Sequence, residues 1–303
     1  MNNKLPNFLI VGAAKCGTSS LHNYLNQHPD IFMPSYNKLG MKVKEPRFLI
    51  KDLVKNRLPN GVWSFEEYKS LFTDVKNAKL VGESTVLYLY YYEHAIKNIK
   101  HYLGKDVKII IMLRNPIDRA YSAYSFASRT HQENQSFKEA LLNAKTRFDN
   151  DENLSPMILY KELGLYYNMV KAYVQNFTDV HFIIYDDFIK QTDLEVKRVF
   201  DFLNVDQKIK INTNIIINAG GMKWDSKVMK NLLMGEGYLK TLFRIFVSKK
   251  TRIFIKEKLT SIFTSKAEKM DISIKQDLFD YYKRDIQLLE GLINKDLSKW
   301  MKI

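Results

Sequence analysis

The stretch Phe8-Leu-Ile-Val-Gly-Ala-Ala-Lys-Cys-Gly-Thr-Ser-Ser-Leu21 decides how the rest of the chain is read. Residues 7–12 form an apolar run of buried-strand length, and apolar residues return at helical spacing at Leu21, Tyr24 and Leu25. Between them lie small residues and Gly17, so the segment predicts a strand, a glycine loop and a helix. Backbone N–H groups at a helix start, unobstructed by side chains, bind phosphate-like anions. An anion site over residues 12–20 is the strongest local signal in the sequence.

A second unit of the same kind lies at 107–113, a Val-Lys-Ile-Ile-Ile-Met-Leu strand leading into Arg114-Asn-Pro116. Asn115 can cap a helix there and Pro116 can occupy its first turn, so a helix through Tyr121 and Phe126 is expected. Residues 79–82 and 180–185 read as further strands, and 158–177 and 272–300 as long amphipathic helical patterns. Strands alternating with helices predict an α/β chain: a P-loop-like three-layer fold with a central, mainly parallel β-sheet flanked by helices. The cluster Tyr88-Leu-Tyr-Tyr-Tyr92 reads as a partly buried helix face in preference to a base-stacking platform. From 204 to 275 the pattern weakens: Asn218-Ala-Gly-Gly221 is turn-like, and 239–263 mixes apolar with basic residues. The expectation is one domain over 1–303 with a basic helical cap or insertion at about 204–275.

Composition narrows the classes. With 46% hydrophobic and 26% charged residues in 303, the chain can bury a full core, and wholesale disorder is excluded. No run approaches the roughly 18 consecutive apolar residues of a spanning helix. Met1-Asn-Asn-Lys-Leu-Pro6 lacks the basic and apolar regions of a secretory signal, which makes a cytoplasmic location the default expectation. The single cysteine excludes an internal disulfide, and the 6 histidines show no zinc-binding spacing. A formal charge of +14 favours an anionic partner: nucleotide, nucleic acid, acidic saccharide or phospholipid surface.

The details of the loops discriminate further. A nucleotide triphosphatase loop places lysine directly after the second glycine, whereas here Thr18 follows Gly17 and Lys15 lies inside the loop. The strand at 107–113 ends in Arg114 where a triphosphatase would hold magnesium through an acid, so a magnesium triphosphate is disfavoured. Arg114 and Ser122 flank one helix start and can converge on a second anion, which fits two separated anionic groups on one nucleotide. Taken singly, each fits equally a structural role, with Arg114 on a carboxylate and Ser122 facing solvent. Cys16 at a helix start invites comparison with a phosphatase nucleophile, but His22 stands where that site needs arginine, and Cys16 reads as a small packed loop residue.

These elements resemble the nucleotide-binding elements of the sulfotransferases that use 3′-phosphoadenosine 5′-phosphosulfate (PAPS). The 8–21 stretch is similar to the family's 5′-phosphosulfate loop, and Leu113-Arg-Asn-Pro-Ile-Asp-Arg-Ala-Tyr-Ser-Ala-Tyr124 to its 3′-phosphate element. Lys44-Glu-Pro-Arg-Phe48 resembles the Lys-Glu segment of the carbohydrate-type, heparan-sulfate-like branch, and Gly82-Glu-Ser-Thr85 a substrate-side segment. The C-terminal stretch from Leu289 to Trp300 looks like the family's terminal helix. Val86 departs from the proline common after Gly-Glu-x-Thr, and Leu49 from a frequent second aromatic.

The resemblance implies that Lys15, Cys16, Gly17, Thr18, Ser19 and Ser20 hold the 5′-phosphosulfate. Arg114 and Ser122, with Lys223 from the 218–224 stretch, would hold the 3′-phosphate. Glu45 falls on the catalytic base, Lys44 beside it on a sulfonate-contacting lysine, and Glu83 and Thr85 on the substrate side. By composition alone Glu45 would be a solvated carboxylate between Lys44 and Arg47. The implied activity moves a sulfuryl group from PAPS to a hydroxyl of a saccharide or small natural product, with an amine acceptor left open, PAP as product and no metal. Two other classes stand beside it: a magnesium-dependent nucleotide kinase, and a basic nucleic-acid or membrane-surface binder. The first conflicts with the displaced lysine; the second draws on residues 239–263, through which peripheral membrane contact stays open even for an enzyme that binds no nucleic acid.

Overall fold

Strand β1 (Phe8–Gly12) is buried along its whole length, which is why five successive residues can be apolar or glycine without a polar alternation. It lies at the centre of a five-stranded, all-parallel sheet in the order β2-β3-β1-β4-β5, with β2 (Ile31–Phe32), β3 (Leu80–Ser84), β4 (Lys108–Leu113) and β5 (Val180–Ile184). The computed structural model describes residues 4–35, 43–73, 75, 77–130, 132–215, 222–224, 264–266 and 270–303.

Among the described residues the helices are α1 (Thr18–Leu25), α2 (Lys51–Val54), α3 (Phe65–Ser70), α4 (Tyr92–Tyr102), α5 (Pro116–Arg129), α6 (Phe137–Asn150) and α7 (Tyr166–Asn176), which lie between the strands, and α8 (Tyr185–Lys190), α9 (Thr192–Leu203) and α10 (Ile272–Ile293), which follow β5. The expected start of α5 is realised: Asn115 Oδ1 accepts the Ile117 N–H at 3.0 Å and Pro116 is the first helical residue. In α10, Leu278, Tyr282, Ile286, Leu289 and Ile293 form the buried stripe. From the same helix Asp285 accepts the Tyr166 N–H at 2.8 Å and the Tyr167 N–H at 3.1 Å, supplying α7 with the cap its own sequence lacks. Among the described residues no helix is long and apolar enough to cross a membrane.

Three expectations are corrected. The 158–177 pattern is not one helix: 3₁₀ turns at Pro156–Ile158 and Glu162–Gly164 precede α7, and Leu165 has ψ 83°. Gly164 marks the break, since a Cβ there would lie 2.9 Å from the Tyr282 hydroxyl. The 88–92 cluster straddles the end of a 3₁₀ turn (Val86–Tyr88) and the start of α4, with only Tyr88 fully buried among its tyrosines. The C-terminal pattern also divides, at Asn294, whose φ of 48° ends α10 before a 3₁₀ turn at Ser298–Met301.

The chain forms two compact units. One comprises Met1–Tyr124, Gln135–Ala219 and Asp271–Ile303 and contains the sheet; the other comprises Ser125–Asn134 and Gly220–Met270. In the second, β6 (Met222–Trp224) pairs antiparallel with β7 (Thr264–Lys266). Of the expected cap, residues 204–215 are an irregular segment in the first unit, where the Tyr24 hydroxyl donates to the carbonyls of Thr213 and Ile215. The 218–221 turn and the basic stretch 239–263 lie outside the described residues.

The β1–β3 pairing sets Phe8 opposite Gly82, where a Cβ would lie 2.1 Å from Phe8 Cζ and 2.4 Å from Met33 Sδ. Both neighbours are buried and neither can retreat to solvent. Gly82→Ala should therefore destabilise the protein by about 1–3 kcal/mol through overpacking, read as a lower midpoint in urea unfolding; an unchanged midpoint would contradict this packing.

Candidate functional site

The β1 to α1 connection sets the geometry. Ala13 N–H donates to the Met112 carbonyl at 2.7 Å, tying the loop to the end of β4. Gly17, the N-cap of α1, has φ 88°, and no side chain caps the helix. A side chain at Gly17 would be strained and would press on the rings of Phe188 and Tyr185 at 3.3–3.4 Å. Lys15 also takes a left-handed φ of 70°. The outcome is a helix N-terminus with Thr18, Ser19 and Ser20 in its first turn and no acidic residue there. The Ser20 N–H donates to the Gly17 carbonyl at 3.0 Å, and the Thr18 and Ser19 N–H groups stand at the positive end of the helix dipole.

Arg114, at the end of the neighbouring strand, donates from Nη1 to the Lys15 carbonyl at 3.4 Å, and its guanidinium lies 4.6 Å from the centre of the Tyr185 ring. That arrangement braces the loop and leaves further donors of the fork for an anion. Arg119, fully buried on α5, donates to the Tyr160 carbonyl and adds positive charge close to Cys16. Cys16 is itself buried, and burial pushes its thiol up to about 11 although Arg119 and Arg114 act in the opposite direction. A thiol so rarely ionised is no nucleophile, in agreement with its reading as a packed loop residue.

The Lys44-Glu45 segment reaches the same helix start. Lys44 Nζ lies 3.5 Å from Thr18 Oγ1 and 3.3 Å from Glu45 Oε1, and the two side chains keep 14% and 22% of their surface exposed. Residues 47–49 hold the segment in place. Arg47 has φ 60°, its N–H donates to Thr85 Oγ1 at 3.3 Å, and the Leu49 N–H donates to the Tyr88 hydroxyl at 3.2 Å. The Phe48 ring stacks on Tyr68 with centroids 4.6 Å apart and meets Tyr102 edge-on at 4.9 Å. Leu49 is fully buried, so it forms no wall of an open cleft.

Glu83 and Thr85, expected on the substrate side, have no exposed surface. Their polar atoms turn to each other and to Tyr68: Glu83 accepts from the Tyr68 hydroxyl at 2.5 Å and from Thr85 Oγ1 at 2.7 Å. Burial pushes the Glu83 carboxyl up to about 7, against the hydrogen bonds of Tyr68, Thr85 and Tyr88. Ser122 is half-buried further along α5. Lys223 lies in β6, in the second unit, and its side chain is outside the described residues.

The fold thus brings Lys15, Thr18, Lys44, Glu45 and Arg114 around one helix start. Sequence reasoning missed Tyr185, Arg119 and the hydroxyls of Tyr68 and Tyr88. Tyr185 carried a signal, since it directly follows a buried strand, and open parallel sheets bind ligands beyond the carboxyl ends of their strands. Among the described residues no group of three or more His, Cys, Asp or Glu side chains is placed to hold a metal ion.

Comparison with known proteins bears on this geometry. A family model described as a sulfotransferase domain matches residues 5–231. Carbohydrate sulfotransferase 15 of Rattus norvegicus is 23% identical over 258 residues, which covers 66% of this chain and 44% of the relative. Heparan sulfate glucosamine 3-O-sulfotransferase 3B1 of Mus musculus is 24% identical over 204 residues, 67% of this chain and 47% of the relative. The chain therefore spans less than half the length of these curated relatives. A crystal structure of a sulfotransferase from Alicyclobacillus acidocaldarius superposes with a TM-score of 0.73 at 27% identity, covering 99% of this chain and 100% of that one. The match from residue 5 to 231 takes in the whole sheet, the uncapped α1 and Arg114, and on that ground the chain belongs to the sulfotransferase domain family.

Proposed function

We propose that the chain transfers the sulfuryl group of PAPS to a hydroxyl of a polar acceptor, a saccharide or a small natural product. The observation that carries this reading is the contact of Lys44, itself paired with Glu45, with Thr18 at the uncapped start of α1. A proton-accepting carboxylate and an ammonium there stand beside an anion-binding helix end, which is the combination sulfuryl transfer needs.

In this reading the backbone of 15–20 and the hydroxyls of Thr18, Ser19 and Ser20 hold the 5′-phosphosulfate. Cys16 contributes its N–H alone. Arg114, with Ser122, holds the 3′-phosphate. As the acceptor oxygen bonds to sulfur, its proton passes to Glu45. The bond from sulfur to the bridging oxygen breaks, and its electron pair stays on the departing phosphate. Lys15 and Lys44 offset the charge that grows there, the task a divalent ion performs in phosphoryl transfer. Arg114 directly after β4, where a magnesium-holding acid would stand, supports metal-independent chemistry and weighs against the kinase alternative.

The acceptor class draws support from the relatives, two of which are named for carbohydrate and heparan sulfate substrates. An amine is the other nucleophile the same base would serve. The nucleic-acid and membrane-surface alternative rests on 239–263, outside the described residues.

Glu45→Gln should lower kcat for sulfuryl transfer by roughly 10²–10⁴-fold with PAPS saturating, while PAP affinity stays as it was. Turnover within a few-fold of the unaltered protein would remove Glu45 from the base role. Arg114→Ala should weaken PAP binding by about 1.5–3 kcal/mol for each charge-assisted hydrogen bond lost, measured by calorimetry; an unchanged affinity would contradict the placement of the 3′-phosphate.

A further inference from the structure

Glu83 is a buried acid that the proposed chemistry does not touch. It sits near the carboxyl end of β3 with no exposed surface, and it is surrounded by hydroxyls in place of a cation. Tyr68, on α3, donates to Oε2 at 2.5 Å, Thr85 donates to Oε1 at 2.7 Å, and the Tyr88 hydroxyl faces the same carboxylate. Two of these hydroxyls have a second task. Thr85 Oγ1 accepts the Arg47 N–H at 3.3 Å, and the Tyr88 oxygen accepts the Leu49 N–H at 3.2 Å.

A hydroxyl has one proton to give and lone pairs to receive. While Glu83 is ionised, above about pH 7, it takes the protons of Thr85 and Tyr88, and their oxygens present lone pairs to the two N–H groups. Without that acceptor the protons are free to swing toward Arg47 and Leu49, and the N–H groups would then meet donors. The two clamped amides lie just beyond Lys44-Glu45-Pro46, where the chain makes the left-handed turn at Arg47. A buried polar cluster of this kind is costly unless every member is satisfied.

We propose that Glu83 is a positioning residue: through the hydroxyls of Thr85 and Tyr88 it fixes the backbone that carries Lys44 and Glu45 at the start of α1. Its effect on turnover rests on the reading of Glu45 as the base; its effect on the backbone does not. Glu83→Gln keeps the size but replaces one acceptor oxygen by a donating NH2, which reverses part of the cluster. Thr85→Val removes the hydroxyl at equal shape, and Thr85→Ser restores it.

The test is deuterium exchange of the peptide spanning 43–50, read by mass spectrometry on the full chain, with PAP calorimetry on each variant. Glu83→Gln and Thr85→Val should speed exchange in that peptide by about tenfold or more. Thr85→Ser should match the unaltered protein, and peptides from β1 and α1 should be unaffected. PAP affinity should hold within about twofold, because the 12–20 loop lies outside the cluster. Unaltered protection of 43–50 in Glu83→Gln or Thr85→Val overturns the proposal, as does loosening spread evenly over the sheet. If Glu83→Gln fails to fold, the Thr85→Val and Thr85→Ser pair decides. Normal turnover in Glu45→Gln together with the expected exchange pattern would dismiss the base and keep the clamp; lost turnover in Glu45→Gln with unaltered exchange in the Glu83 and Thr85 variants would do the reverse.

Discussion

The uncapped N-terminus of α1 is the constraint around which the site is arranged. Gly17 caps the helix in a left-handed conformation; its carbonyl accepts the Ser20 and Leu21 N–H groups, but as a glycine it brings no side-chain oxygen to those of Thr18 and Ser19. Those groups stand in a loop tied to β4 through Ala13 and braced by Arg114, so the donors are held in place before any anion arrives. A site organised in advance loses less on binding than one that must be ordered by its ligand. The burial of β1 on both faces is what makes that fixity available, since its neighbours β3 and β4 hold it from either side.

The second requirement is that a proton acceptor be brought to the anion site from a remote part of the chain. The Lys44-Glu45 segment has no regular structure of its own, and its place depends on hydroxyls from the stretch after β3. Phe48 adds an aromatic anchor in the stack with Tyr68 and Tyr102. Tyr68 thus serves twice, packing against Phe48 and donating to Glu83, so the apolar and polar supports of the segment converge on one side chain.

Much of the fold is legible in the sequence, because burial and capping leave local marks. Strands β1, β4 and β5 are largely continuous apolar runs, and Asn115-Pro116 announces the start of α5. Strand β2 has only two residues and leaves no periodicity to find. Helix α6 opens with a capping box of Ser136 and Glu139, a mark as local as the one before α5 though no buried strand leads into it. The 158–177 pattern misleads because apolar spacing survives across Gly164, which packs against Tyr282. At the site, the loop is visible from residue types alone, whereas the contact of Lys44 with Thr18 joins parts of the chain that no local pattern connects. The enclosure of Glu83 is hidden for the same reason: its partners Tyr68 and Tyr88 come from flanking elements, and only the folded chain surrounds it.

The central claim is that two anchors, the α1 start and Arg114, grip two phosphates of one adenosine. Calorimetric titration of the protein with PAP, 5′-AMP and magnesium ATP tests it most directly. The prediction is clear binding of PAP, binding of 5′-AMP weaker by at least about tenfold for want of the second phosphate, and no preference for magnesium ATP. Absence of PAP binding, or equal affinity for PAP and 5′-AMP, would contradict it.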